Sequence, residues 1–194
     1  NRSIMTSILK VDTIQDTDGN NIINESGNTI TIGASGDTTN IIGTLQNDGA
    51  AVGGTNTPAW YVKLSGDQDV SGSSHTKITW DSEVFDTDGA FASNKFTVPT
   101  GEGGKYFFHH RCLVDDLDDG GFIQLNLYKN GSEQGNYLIT TRSAHASFTL
   151  AVQASGLIDL SAGDYLESYI YQSEAGTQHI ESAHSFFAGY KIIE

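Results

Sequence analysis

The densest set of chemically capable side chains in this 194-residue chain is the run Asp115-Asp116-Leu117-Asp118-Asp119-Gly120. Hard divalent cations such as calcium take carboxylate and carbonyl oxygens. Asp115, Asp116, Asp118 and Asp119, in one loop or in three copies of it around an axis, could supply such oxygens. The other reading of the run is a solvated turn between two strands. Asp16-Thr17-Asp18-Gly19-Asn20 and Asp86-Thr87-Asp88-Gly89 each begin like a helix–loop–helix calcium loop. That loop also needs a bidentate Glu at its twelfth position and flanking helices. Neither segment has both, so both read as turns.

Other reactive groups are sparse. His109 and His110 are adjacent on a predicted strand, so their rings point to opposite faces and cannot share one ion. Cys112 is the only cysteine, which excludes an intrachain disulfide framework. It lies among Tyr106–Phe108, Leu113 and Val114 and reads as a buried structural thiol. There is no Gly-x-Ser-x-Gly elbow, phosphate-binding loop, His-Glu-x-x-His or Cys-x-x-Cys. The 24 acidic residues offer many carboxylate pairs for glycan hydrolysis. No long insertion would shape a cleft around such a pair, and the expectation is a non-enzyme. Tyr165, Tyr169 and Tyr171 share one face of a predicted strand. They could stack on sugars, but packing against a neighbouring subunit, where Tyr is common, is the preferred reading.

The formal charge of −14, from 24 acidic residues against 10 Lys and Arg, argues against nucleic-acid binding, which needs a basic surface. It also disfavours adhesion to anionic membranes through charge. No apolar run is long enough to cross a bilayer, so membrane insertion is not expected, and no signal peptide is visible. Asn1-Arg2-Ser3 does not read as a native start, which leaves a preceding leader open.

The elements that must position these groups are strands. No window shows a helical apolar stripe. Short β-branched and aromatic runs recur instead, broken by Gly, Asn and Asp. All nine Phe, eight Tyr and two Trp lie at or after Trp60. That shift divides the chain at residues 59 and 60, with Gly53-Gly54-Thr55-Asn56-Thr57-Pro58 as linker. Residues 60–194 can hold one ordinary core. Strands are expected near 60–64, 75–80, 85, 95–98, 105–114, 122–129, 137–142, 147–160, 165–172 and 183–193. In residues 1–59, strands are expected near 8–14, 22–23, 29–32 and 40–45, with Ile14, Ile22, Ile30 and Ile41 at intervals of eight to eleven residues. Such a segment is poor in apolar mass and suits a slender β stalk whose interior is shared by three chains.

Five segments follow in order: Phe96-Thr97-Val98-Pro99, Gly103-Gly104-Lys105-Tyr106-Phe107-Phe108, Leu127-Tyr128-Lys129-Asn130-Gly131, Leu160-Ser161-Ala162-Gly163-Asp164 and Ser185-Phe186-Phe187-Ala188-Gly189-Tyr190. In order and spacing they resemble the C1q/TNF-like family. The resemblance implies an all-β fold, a two-sheet jelly-roll head at residues 60–194, and a homotrimer. It also implies calcium near the trimer apex, in loops like the Asp115–Asp119 run. Tyr165, Tyr169, Tyr171, Phe186, Phe187 and Tyr190 are then the expected trimer core or interface. The collagen stalk of many such proteins is absent, since residues 1–59 lack a Gly at every third position. Ser7-Ile8-Leu9-Lys10-Val11-Asp12-Thr13-Ile14-Gln15 resembles the opening of bacteriophage tail-fibre proteins. Together these imply a structural protein of a phage virion appendage, on tail or capsid and displayed at the virion surface. Residues 1–59 would hold other virion proteins, and the head would bind a host polysaccharide or protein receptor. The alternative is a capsid decoration or cement protein that stabilises the shell without a receptor.

Overall fold

The computed structural model describes residues 56–192, together with 41–43, 45–47 and 50–51. The strands expected near 8–14, 22–23 and 29–32 lie outside the described residues, as do the phage-like Ser7–Gln15 run and the Asp16–Asn20 turn. The chain falls into two compact units, residues 1–52 and 53–194. In the first, β1 (Gln46–Asn47) pairs antiparallel with β2 (Ala50–Ala51). Ile41, Ile42 and Leu45 stand exposed, Ile42 by 95%.

The second unit is a sandwich of two seven-stranded sheets. The strands are β3 (Ala59–Lys63), β4 (Gln68–Ser71), β5 (His75–Lys77), β6 (Ser82–Asp86), β7 (Phe91–Ala92), β8 (Lys95–Thr97), β9 (Gly104–Leu117), β10 (Phe122–Lys129), β11 (Ser132–Glu133), β12 (Ile139–Arg142), β13 (Phe148–Leu160), β14 (Tyr165–Gln172), β15 (Thr177–Ile180) and β16 (Phe186–Lys191). One sheet runs β11-β10-β14-β8-β7, with β12 also paired to β10 and β5 to β14. The other runs β4-β15-β9-β16-β3-β6, with β13 on the far side of β9. Pairing is antiparallel throughout, as in β9–β13, β10–β14 and β3–β16.

Period-two alternation builds the core. Tyr106, Phe108, His110, Cys112 and Val114 of β9 point inward, and so do Leu150, Val152, Ile158 and Leu160 of β13. Ile123, Leu125 and Leu127 of β10 meet them from the opposite sheet, with Leu166 and Ile170 of β14. Trp60 joins the layers by stacking on Phe96 at 3.8 Å between centroids, and Phe187 meets the Trp60 ring edge-on at 5.5 Å. This contact explains the glycine of the closing motif. A Cβ at Gly189 would overlap the Trp60 indole ring. The expected hairpin is also present. Asn130 and Gly131 both have positive φ, +52° and +76°, in the two-residue turn between β10 and β11.

Some expectations need correction. The strand expected near 75–80 stops at Lys77, although Ile78 and Trp80 still point into the core. The last strand begins only at Phe186, after a 3-10 turn at Ser182–His184. β4, β7, β11 and β15 carry no alternating run to announce them. β4 and β15 each bury a single apolar side chain, Val70 and Ile180, and pair with each other at the sheet edge.

Candidate functional site

The acidic run is not one loop. β9 continues through Asp115, Asp116 and Leu117. Leu117 pairs with Phe148 and Val114 with Leu150, which leaves two aspartates opposite Thr149 alone. This is a β-bulge, and it returns Leu117 to the core after Val114. Asp116 takes the positive φ, +50°. Asp115 Oδ1 accepts the His179 amide at 3.0 Å. Asp118 and Asp119 belong to the following turn, closed by the Gly121 amide on Asp118 O at 3.0 Å. The four carboxylates therefore divide between a bulge and a turn. Among the described residues, no group of three or more His, Cys, Asp or Glu is placed to hold a metal ion.

The interior holds two groups with chemical potential, and both are sealed. His110 is fully buried, with Nδ1 2.9 Å from Ser168 Oγ and with Phe108 and Phe187 packed beside the ring. Burial pushes its pKa down to about 3, so the imidazole stays neutral. His109 lies on the opposite face, against Phe186. Cys112 is free and buried, and burial pushes its thiol upward, away from the reactive thiolate.

What the head offers the outside is two faces. On the outer side of the β10–β14 sheet, Tyr128 lies 4.2 Å from Tyr169 and Phe122 stacks 5.7 Å from Tyr171. His75 is 5.3 Å from the Tyr171 ring. Polar groups are interleaved with these rings. Lys77 Nζ pairs with Glu167 at 2.6 Å, Lys95 Nζ sits 4.3 Å above Tyr165, and Asn126 Nδ2 donates to Glu133 at 3.0 Å. On the outer side of the β3–β16–β9 sheet, Tyr61 meets Phe85 at 6.1 Å and Phe186 at 5.6 Å, and Phe107 meets Tyr190 at 5.4 Å. Leu157, opposite Phe107 in register, is 58% exposed, and Phe85 is 47% exposed.

No protein-family model matches the chain, and no curated protein matches it. Among solved structures, the globular domain of zebrafish complement 1qA protein aligns at 15% identity over 71% of this chain and 99% of its own, with a TM-score of 0.49. Murine APRIL, of the TNF family, aligns at 14% identity over 69% of this chain and 98% of its own, with a TM-score of 0.50. The APRIL likeness and the two antiparallel sheets decide the fold. Residues 59–191 form a C1q/TNF-like jelly roll.

The jelly roll places the six residues expected in the trimer core or interface at three positions. Tyr165, Tyr169 and Tyr171 do share a face, but it is the outer face of the β10–β14 sheet. Phe186 and Tyr190 stand on the outer face of the other sheet. Phe187 is neither, since it is fully buried between the sheets of one protomer, among Trp60, Trp80 and Phe91. Strand alternation makes Phe186 and Phe187 opposites. Other members of these faces were missed, namely Phe122, Asn126 and Tyr128 on one and Tyr61, Phe85 and Phe107 on the other. The signal for the first three was available as the outward half of the alternation that marks Ile123, Leu125 and Leu127. The final turn of the resemblance is well anchored. Asp164 accepts Asn130 Nδ2 at 2.7 Å and the Ser161 amide at 2.8 Å. Hydrogen bonds from the Lys129 ammonium and the Asn130 amide hold its carboxyl down at about 2.

Proposed function

We propose that the chain is a non-enzymatic, homotrimeric structural protein of a phage virion appendage, whose jelly-roll head displays a ligand-binding face to a host surface. The observation that carries the trimer is the chemistry of the β3–β16–β9 outer face. Leu157, Phe85, Phe107, Phe186 and Tyr190 make it an apolar patch of the kind that marks a contact. A ring of three identical subunits joins two different patches, one on each side of every contact. A second patch is present. Among the described residues β13 pairs only with β9, so one flank of a 13-residue strand has no strand partner and is met only in part, by the Tyr137 hydroxyl on the Leu157 carbonyl. Phe148 on β13 and Ile139 on β12 are 48% and 41% exposed nearby. Long open edges are normally covered. C1q/TNF-like domains typically form homotrimers, which fits this arrangement.

The host-facing role is supported by the more polar β10–β14 face, which suits exposure to water. The virion assignment rests on the resemblance of Ser7–Gln15 to phage fibre openings and on the non-collagenous N-terminal segment. Sedimentation equilibrium of the full chain tests the trimer. The expected mass is three times 20.8 kDa, and a monomer across the micromolar range rejects the reading. Imaging of the protein on an intact particle tests the virion assignment, and a position outside any particle rejects that part alone.

A further inference from the structure

We propose that the cavity between the edge strands β6 and β7 takes a small organic ammonium, with Trp80 and Phe91 against its apolar stem and the carboxylates of Asp81 and Glu83 beside its charge. The proposal goes beyond the reading above and does not rest on it.

The cavity follows from the topology. β6 ends the path of one sheet and β7 ends that of the other, so the sandwich has an unpaired side between them. The space there is about 200 Å³, below the roughly 300–1,000 Å³ that holds a drug-sized ligand. It suits one short chain. Val62 and Trp80, 1% and 3% exposed, form the floor. Phe91, whose ring meets Phe187 edge-on at 6.0 Å, and Ala92 form a wall. Asp81 and Glu83 are exposed and form a rim that solvent reaches.

Charge selects the occupant. The lining holds two carboxylates and no cationic side chain. Asp81 accepts the Ser65 hydroxyl at 2.6 Å and the Ser65 amide at 2.7 Å. The hydroxyl first, and then the amide, hold its carboxyl below the ordinary Asp range, so it stays ionised. Among the described residues, the Glu83 carboxylate has no hydrogen-bond or ion-pair partner. Lys77 donates to the Ser93 carbonyl in the lining at 3.2 Å, but Glu167 neutralises it at 2.6 Å.

Other ligand classes fit less well. An anion is repelled by the rim and by a chain of charge −14. A hard metal ion needs six or more oxygens. Both Asp81 oxygens are already engaged by Ser65, and no group of three or more His, Cys, Asp or Glu among the described residues is placed to hold a metal. A neutral apolar ligand strips water from two carboxylates without replacing it. A primary ammonium on a short hydrocarbon stem meets every part of the lining. Carboxylates and aromatic rings both favour a cation, and the floor favours carbon.

Saturation-transfer NMR on the full chain, with n-butylammonium as probe and 1-butanol and butyrate as neutral and anionic controls, tests this. The expected result is saturable binding of the ammonium alone, with a Kd of about a millimolar, as suits a ligand of a few heavy atoms. Glu83→Gln, at an exposed position, should weaken it about fivefold, the scale of a partly exposed ion pair. Ala92→Leu should block the space and abolish it. Nα-acetyl-lysine amide as a second probe separates two sources of the same chemistry. Equal binding supports a lysine side chain borne by a partner protein, and binding of n-butylammonium alone supports a free amine. No saturable binding of either ammonium overturns the proposal, and so does 1-butanol binding as well as n-butylammonium. Unchanged affinity in both variants, each still folded by near-ultraviolet circular dichroism, places the ammonium elsewhere and overturns it too.

Discussion

The two outward faces of the head carry rings in similar number but in different company. Around Phe107, Phe186 and Tyr190 the neighbours are mostly Leu157, Phe85 and Tyr61, with His109 against Phe186 as a polar exception. Around Tyr128, Tyr169 and Tyr171 the neighbours include Asn126, His75, Glu133 and the Lys77–Glu167 pair. Counting aromatic residues does not tell these surfaces apart. The first gains free energy only when another surface covers it. The second is comfortable in water and presents donors and acceptors in fixed directions. One sandwich thus supplies a face suited to self-association and a face suited to a polar ligand, and each can be perturbed separately.

The sharpest way to break this division is to compare neighbours on β16. Phe187→Ala should cost about 3–5 kcal/mol of protomer stability, as expected for a fully buried Phe. Phe186→Ala should cost far less in the protomer while weakening self-association. Urea unfolding at matched oligomeric state measures both, and equal costs would mean that inside and outside have been misassigned. Gly189→Ala should follow at about 1–3 kcal/mol, because its methyl must displace the Trp60 ring or the strand. A neutral effect would show that Trp60 can move.

His110 sharpens the comparison through pH. Its pKa falls from the ordinary 6.5 to about 3 in the fold because burial disfavours the cation. Above 6.5 the ring is neutral in both states and stability is flat. Below that, the unfolded chain takes up a proton that the folded chain refuses. Stability therefore declines from pH 6.5 toward 3, by up to about 1.4 kcal/mol per unit. His110→Phe should flatten that part of the profile. A slope that survives the substitution assigns the acid sensitivity elsewhere. The smallest effect is expected at the hairpin. Asn130→Ala removes two hydrogen bonds, to Asp164 and from the Tyr165 amide, at a residue with φ of +52°. A loss near 1 kcal/mol is expected, with partial recovery in Asn130→Gly. Recovery to wild type would mean that only backbone conformation matters there.

Much of the architecture was legible in the sequence because alternation and turn chemistry are local. β9, β10, β13 and β14 announce themselves through their inward residues, and Asn130-Gly131 through its need for positive φ. The bulge at Asp115–Asp116 was not legible. It depends on Leu117 reaching the core after an even run ending at Val114, which is visible only against β13. The candidate face was half legible. Tyr169 and Tyr171 share a side by spacing alone, but which sheet they belong to, and that His75 and Asn126 lie beside them, follows from strand pairing far apart in sequence. Phe186 and Phe187 are adjacent in the closing motif, but strand alternation sends them to opposite faces.

Hydroxyl-radical footprinting of the assembled protein, read residue by residue, tests the division of faces most directly. Tyr61, Phe107, Phe186 and Tyr190 should be protected in the trimer and become reactive on dilution to protomers, while Tyr128, Tyr169 and Tyr171 should react equally in both. Protection of the tyrosine face with oxidation of Phe186 and Tyr190 would contradict the account.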